Sequence, residues 1–212
     1  MKKILLSLTL LMLSVAMYAQ NEVTKFLGIS IDGAKADMIQ KIKAKGFSYN
    51  AQEDCKFLGI PIDGTKADMI QKIKAKGFSY NAQEDCLEGI FNGENVYIYI
   101  LTNKSKVWRI AVTDKTDFDE GQIKIRFNNL CQQFDDNPKY YSLKGTQKLS
   151  DNDDISYEMN GHHKQIQAVY YQLPYDGAQN RTVWFIIGEV YGKYRIIIFY
   201  DNKRNQAHGE DL

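Results

Sequence analysis

From about residue 87 onward, apolar positions mostly fall at every second place, and Gly- or Asn-containing turns break the runs. That period predicts strands over 87–92, 96–102 and 107–113. Asn92-Gly93 is a strong hairpin signal, although Glu94 and Asn95 lengthen the expected loop beyond two residues. The polar turn 103–106 leads into the third strand. The period then becomes helical over 119–134, where Ile123, Phe127, Leu130 and Phe134 recur on one face. Asp135-Asp136-Asn137-Pro138 ends that helix. Strands return at 155–160 and 165–172, expected as a hairpin around Asn160-Gly161. They return again at 181–190 and 193–200, around Tyr191-Gly192. The polar stretches 144–154 and 174–180 read as loops.

The segment before residue 87 is a duplication. Residues 25–55 recur as 56–86, and only Ser30/Pro61 and Ala34/Thr65 differ. Two units are too few for a solenoid, which needs three or more. Each copy reads as a short extended segment, a turn, a helix and a second extended segment. In the second copy Thr65 is a good N-cap with Asp68 three residues on, and Met69, Ile70 and Ile73 form the apolar face. Gly77 stands where a left-handed residue ends a helix. The first copy has Ala34 in place of the capping threonine, a change that typically costs about 1 kcal/mol. The second copy also leads directly into the strands, so docking the first copy there would require closing a longer loop. The expectation is that 56–86 holds the native position and that 25–55 is a looser appendage.

Lys2 and Lys3 precede an apolar run at 4–13 and small residues, the order of a secretory leader. The run is shorter than the roughly 20 residues a membrane span needs. Cleavage is expected after Ala19, with Ala16 as the competing site. The organisation expected is therefore a leader at 1–19 and the first copy at 20–55. A helix-plus-meander half follows at 56–116, a second helix-plus-four-strand half at 117–203, and a polar tail at 204–212. The fold class is α+β: two helix-plus-antiparallel-meander halves, with the helices packed on one face of an antiparallel sheet.

Charge and cysteines narrow the functional classes. Formal net charge is +1, and loss of Lys2 and Lys3 with the leader takes it to −1. Such a chain carries no electrostatic footprint for nucleic acid or anionic membrane, so neither is an expected partner. The expected location is the periplasm or the exterior, an oxidising setting for Cys55, Cys86 and Cys131. Their odd number leaves at least one thiol unpaired or pairing between molecules. Cys131 reads as a buried free thiol or as the partner of Cys86 in a disulfide.

The pattern Ile62-Asp-Gly64-Thr65-Lys-Ala-Asp68-Met69-Ile70, with Gly77, Cys86 and a β-meander after it, resembles the helix start of small envelope proteins. These are the β-lactamase-inhibitor-protein fold and the related SmpA/OmlA outer-membrane assembly lipoproteins. The resemblance covers about 50 residues. It implies helices against one face of an antiparallel sheet and a partner bound on the opposite face. The chain lacks the lipobox cysteine of the lipoproteins. As a whole it is also similar to small exported proteins of Gram-negative bacteria that carry no assigned function.

The chemical motifs are sparse. His162 and His163 are adjacent in a turn and His208 lies in the tail, short of the convergent ligands a zinc site needs. Asp151-Asn152-Asp153-Asp154 lacks the glycine and terminal glutamate of a calcium loop. No nucleophile elbow, phosphate loop or Cys-x-x-Cys occurs. The expectation is a non-enzymatic module without metal or cofactor that binds a protein or peptide. Its alternatives are an envelope structural or assembly factor, and a small-ligand binder or hydrolase. The lead is aromatic. In 96–100 the aliphatics and tyrosines alternate, and Trp108, Ile110 and Val112 should join the aliphatic core. Tyr97, Tyr99, Arg109 and Tyr171 would then lie on the open face, extended by Arg195. Tyr and Arg are enriched at binding hot spots.

Overall fold

The structure is a computed structural model that describes residues 25–26, 29–30, 35–46, 53–145 and 147–206. The expected leader and residues 207–212 of the tail lie outside the described residues. The chain divides into two units, Met1–Ala51 and Gln52–Leu212. In the first, β1 (Lys25–Phe26) pairs antiparallel with β2 (Ile29–Ser30), and α1 (Lys35–Ala44) follows.

The second unit begins with the same local design. β3 (Lys56–Phe57) pairs with β4 (Ile60–Pro61) across Leu58-Gly59, both of positive φ. α2 (Lys66–Lys74) starts at Thr65, whose hydroxyl accepts the Asp68 N–H at 3.2 Å. Gly77 then takes φ +95°, a conformation that glycine adopts without a Cβ penalty. After it come β5 (Ser79–Asn81), β6 (Cys86–Phe91), β7 (Glu94–Asn103) and β8 (Lys106–Asp114). α3 (Glu120–Asp135) carries a full capping box between Asp119 and Gln122. β9 (Tyr140–Tyr141), β10 (Gln167–Gln172), β11 (Arg181–Val190) and β12 (Lys193–Asn202) complete the unit. Eight strands form one antiparallel sheet in the order β5-β6-β7-β8-β12-β11-β10-β9. The fold class is α+β.

Register explains the core. Ile98, Val112, Ile198, Phe185 and Ala168 stand opposite one another across five strands. They join Met69 and Ile73 of α2 and Ile123, Phe127, Leu130 and Phe134 of α3 in one buried cluster. Phe134 stacks on Tyr170 at 4.8 Å and on Phe185 at 5.7 Å. Arg126 of α3 grips Asp114 at the end of β8 with two bonds of 2.7 and 2.8 Å. Asn202 donates to the Ile62 carbonyl at 2.8 Å and so ties β12 to the chain before α2.

Three expectations are corrected. The β6–β7 loop has only two residues, because Asn92 and Gly93 both take positive φ and Phe91 already pairs with Glu94. No strand forms at 155–160. Ile155 is buried, and a wide helical turn occupies Tyr157–Gly161. β10 pairs instead with β9, and beyond β9 the Gln147 amide bonds both the N–H and C=O of Val169, at 2.8 and 3.0 Å. A side chain thus does the work of a strand at that edge. Trp108 does not enter the buried cluster. The β7–β8 register passes from Leu101↔Arg109 to Thr102↔Val107, which makes Trp108 an extra, bulged residue.

Candidate binding face

Alternate residues of the same strands present a second set of side chains. Tyr97, Thr113, Ile197 and Ile186 form one row across β7, β8, β12 and β11. Tyr99, Ala111, Phe199 and Trp184 form the next, and Leu101, Arg109, Asp201 and Thr182 a third. Most of these apolar side chains are half-buried, and Tyr99 is 38% exposed.

The centre of the face is built around Arg109. Its Nε and Nη2 donate to the two carboxylate oxygens of Asp201 at 2.6 and 2.8 Å. The guanidinium carbon lies 4.3 Å from the Trp108 ring centroid, 4.7 Å from Phe199 and 5.4 Å from Trp184. Trp184 stacks on Phe199 at 4.4 Å, and its indole N–H donates to Asp201 at 3.0 Å. The bulge at Trp108 accounts for its ring reaching Arg109, and a guanidinium this close to three aromatic rings is held by cation–π attraction.

The predicted residues are only partly brought together. Tyr97 and Tyr99 are neighbours, with ring centroids 6.4 Å apart. Lys115 lies 4.3 Å over the Tyr97 ring and bonds Glu88 at 2.6 Å. That hydrogen bond holds Lys115 above and Glu88 below their usual pKa ranges. Tyr171 stacks on Tyr141 at 5.4 Å, four strand steps from β7, which is about 19 Å at normal strand spacing. Arg195 pairs with Asp117 at 3.0 Å, near one end of β12. Trp184, Phe199, Asp201, Ile186 and Ile197 were missed. Strands β11 and β12 are apolar without a break over 183–187 and 196–200, so alternation alone does not say which of those residues face out.

The three cysteines are free and buried. The candidate Cys86–Cys131 bridge is not formed, and the register shows why. Leu87 stands opposite Ile98 in the core set, so Cys86 belongs to the alternate set with Tyr99, whereas Cys131 sits in the core cluster on α3. Burial pushes the Cys131 thiol up to about 11 and raises those of Cys86 and Cys55 as well. The thiolate is the reactive form. Titration of the folded chain with a disulfide reagent at pH 8 is therefore expected to label none of the three thiols within minutes. Labelling in denaturant without reductant should give all three. Two thiols missing in denaturant would restore the bridge.

Among the described residues no helix is long and apolar enough to cross a membrane, and no group of three His, Cys, Asp or Glu side chains is placed to hold a metal. No protein-family model, curated protein or solved structure matches the chain.

Proposed function

We propose that this chain is an exported, non-enzymatic binding module that docks a protein or peptide on the sheet face centred on Arg109. In this reading it consists of two halves, α2 with β5–β8 and α3 with β9–β12, joined at the β8–β12 pair. The helices cover one face and leave the other for the partner, in line with the resemblance to envelope proteins. The leader directs the chain to the periplasm or beyond, and the first copy up to Ala51 is an added element, whereas Cys55 belongs to the buried cluster of the second unit.

One observation carries the reading. Aromatic and aliphatic side chains continue across four strands of the face, while three of the cations beside them are matched: Arg109 by Asp201, Lys115 by Glu88, Arg195 by Asp117. A surface so neutralised selects a partner by shape and apolar contact, so the occupant is a segment that presents apolar and aromatic side chains.

The test uses the exported chain and a Tyr99→Ser/Ile197→Thr variant as baits in envelope and culture fractions, followed by titration of the purified captured protein. These substitutions spare the Arg109–Asp201 pair, and a thermal melt checks that the variant folds. A partner held by the native chain and at least tenfold more weakly by the variant is the expected result. Equal affinity for both would move the interface off this face. Deleting 25–51, which leaves the unit Gln52–Leu212 whole, is expected to leave the affinity unchanged.

A further inference from the structure

A cavity of about 660 Å³ opens among the β3–β4 hairpin, the C-terminal end of α3 and β10, all within Gln52–Leu212. Its size lies within the range of small-ligand sites. It belongs to the core side of the sheet, since Phe91, Phe134 and Tyr200, which line it, pack in or against the buried cluster. It is therefore separate from the binding face. Leu58, Phe91, Phe134 and Leu173 supply its apolar wall.

Two tyrosines supply its polarity. Tyr200 is only 4% exposed, its ring is held edge-on by Phe57 at 5.0 Å, and its hydroxyl makes no hydrogen bond among the described residues. The ring is buried, but the hydroxyl oxygen itself is not among the buried orphaned atoms and meets open space at the cavity wall, so its O–H is available to a ligand. The second is Tyr140, packed against Phe134 at 4.9 Å. Its oxygen accepts from Gln172 Nε2 at 3.2 Å, which leaves its own O–H proton free to donate. The Gln172 amide cannot compete for a ligand, because it also bonds the Lys56 N–H and C=O, each at 2.7 Å. Burial raises the pKa of both phenols, so both stay protonated at neutral pH.

The charges at the mouth balance. Glu53 and Asp54 face Lys56 and Lys139, with Glu53 and Lys56 paired at 3.1 Å. The C-terminal end of α3 adds partial negative charge, which disfavours an anion. We propose that this cavity is a binding site for an uncharged small molecule with an apolar body and a carbonyl-type oxygen, which accepts hydrogen bonds from Tyr200 and Tyr140. The site is independent of the docking face and of any partner held there.

The probe is 6-propionyl-2-dimethylaminonaphthalene, an uncharged aromatic ketone whose emission reports hydrogen bonding to its carbonyl. Titrated into the full chain, it should bind saturably at one site and raise the melting temperature. Tyr200→Phe keeps the ring and removes only the donor. It should weaken binding by about three- to tenfold and move the bound emission to shorter wavelength. Gln133→Trp, at an exposed position on the rim, should block entry without touching the core. The Tyr99→Ser/Ile197→Thr variant should bind the probe as the native chain does. Absence of saturable binding, native affinity and emission in Tyr200→Phe, or loss of binding in the face variant instead of the rim variant would each overturn the proposal.

Discussion

Arg181→Ala is expected to lower the unfolding free energy by about 3–5 kcal/mol, the largest effect of any single substitution considered for this chain. Arg181 is 1% exposed at the start of β11. Its guanidinium donates to the carbonyls of Gln172 at 3.2 Å, Glu53 at 3.2 Å and Asp176 at 3.0 Å, and also to that of Pro174. One side chain thus ties together β10, the loop after it and the segment that enters β3. Removal of the side chain leaves a cavity and several acceptors without partners, and each buried orphan costs about 1–3 kcal/mol. Water entering from the loop side offsets part of that sum. Arg181→Lys should recover only a minor share, because an ammonium cannot reach acceptors spread around a planar fork. Urea unfolding followed by tryptophan fluorescence measures both variants. A loss below about 1 kcal/mol for Arg181→Ala would show that the acceptors are readily rehydrated.

Asp201→Ala is expected to cost about 2–4 kcal/mol, slightly less because Arg109 keeps some access to solvent. The carboxylate is 3% exposed and accepts from Arg109 twice and from the Trp184 indole, so its removal orphans a cation and a donor together. The decisive comparison is the double variant Asp201→Ala/Arg109→Met. If the cost comes from an uncompensated charge among aromatic rings, removing that charge as well should restore part of the stability. A double variant as unstable as the sum of the singles would assign the loss to packing instead. The single variant should also lower affinity at the docking face, since nothing would then fix the Arg109 guanidinium beside Trp108 and Phe199.

Much of the fold was legible because its signals are local. Thr65 and Asp68 mark the start of α2 through a cap that spans three residues. Tyr191-Gly192 marks the β11–β12 hairpin, and both residues take positive φ. The error at 155–160 shows where local reading stops. Asn160-Gly161 resembles a hairpin turn, yet the edge of β10 is satisfied by Tyr140–Tyr141 and by the Gln147 amide, and no turn residue encodes that competition.

The candidate face shows the same division. Tyr97 and Tyr99 were visible because tyrosine alternates with aliphatic residues on β7. Trp184 and Phe199 were not, because both faces of β11 and β12 are apolar. Asp201 stood 92 positions from Arg109 with no pattern linking them. The lining of the cavity comes from segments as far apart as Leu58 and Tyr200, and no local pattern brings them together.

By itself the sequence determined the period of most strands and of the helices, most of the turns, the duplication and the chain's near-neutral charge, because these rest on neighbours within a few residues. Tertiary structure alone decided the strand order, the outward side of β11 and β12, the bulge at Trp108 and the placement of Cys86 away from Cys131. Those depend on which distant segments compete for the same hydrogen bonds and the same buried volume.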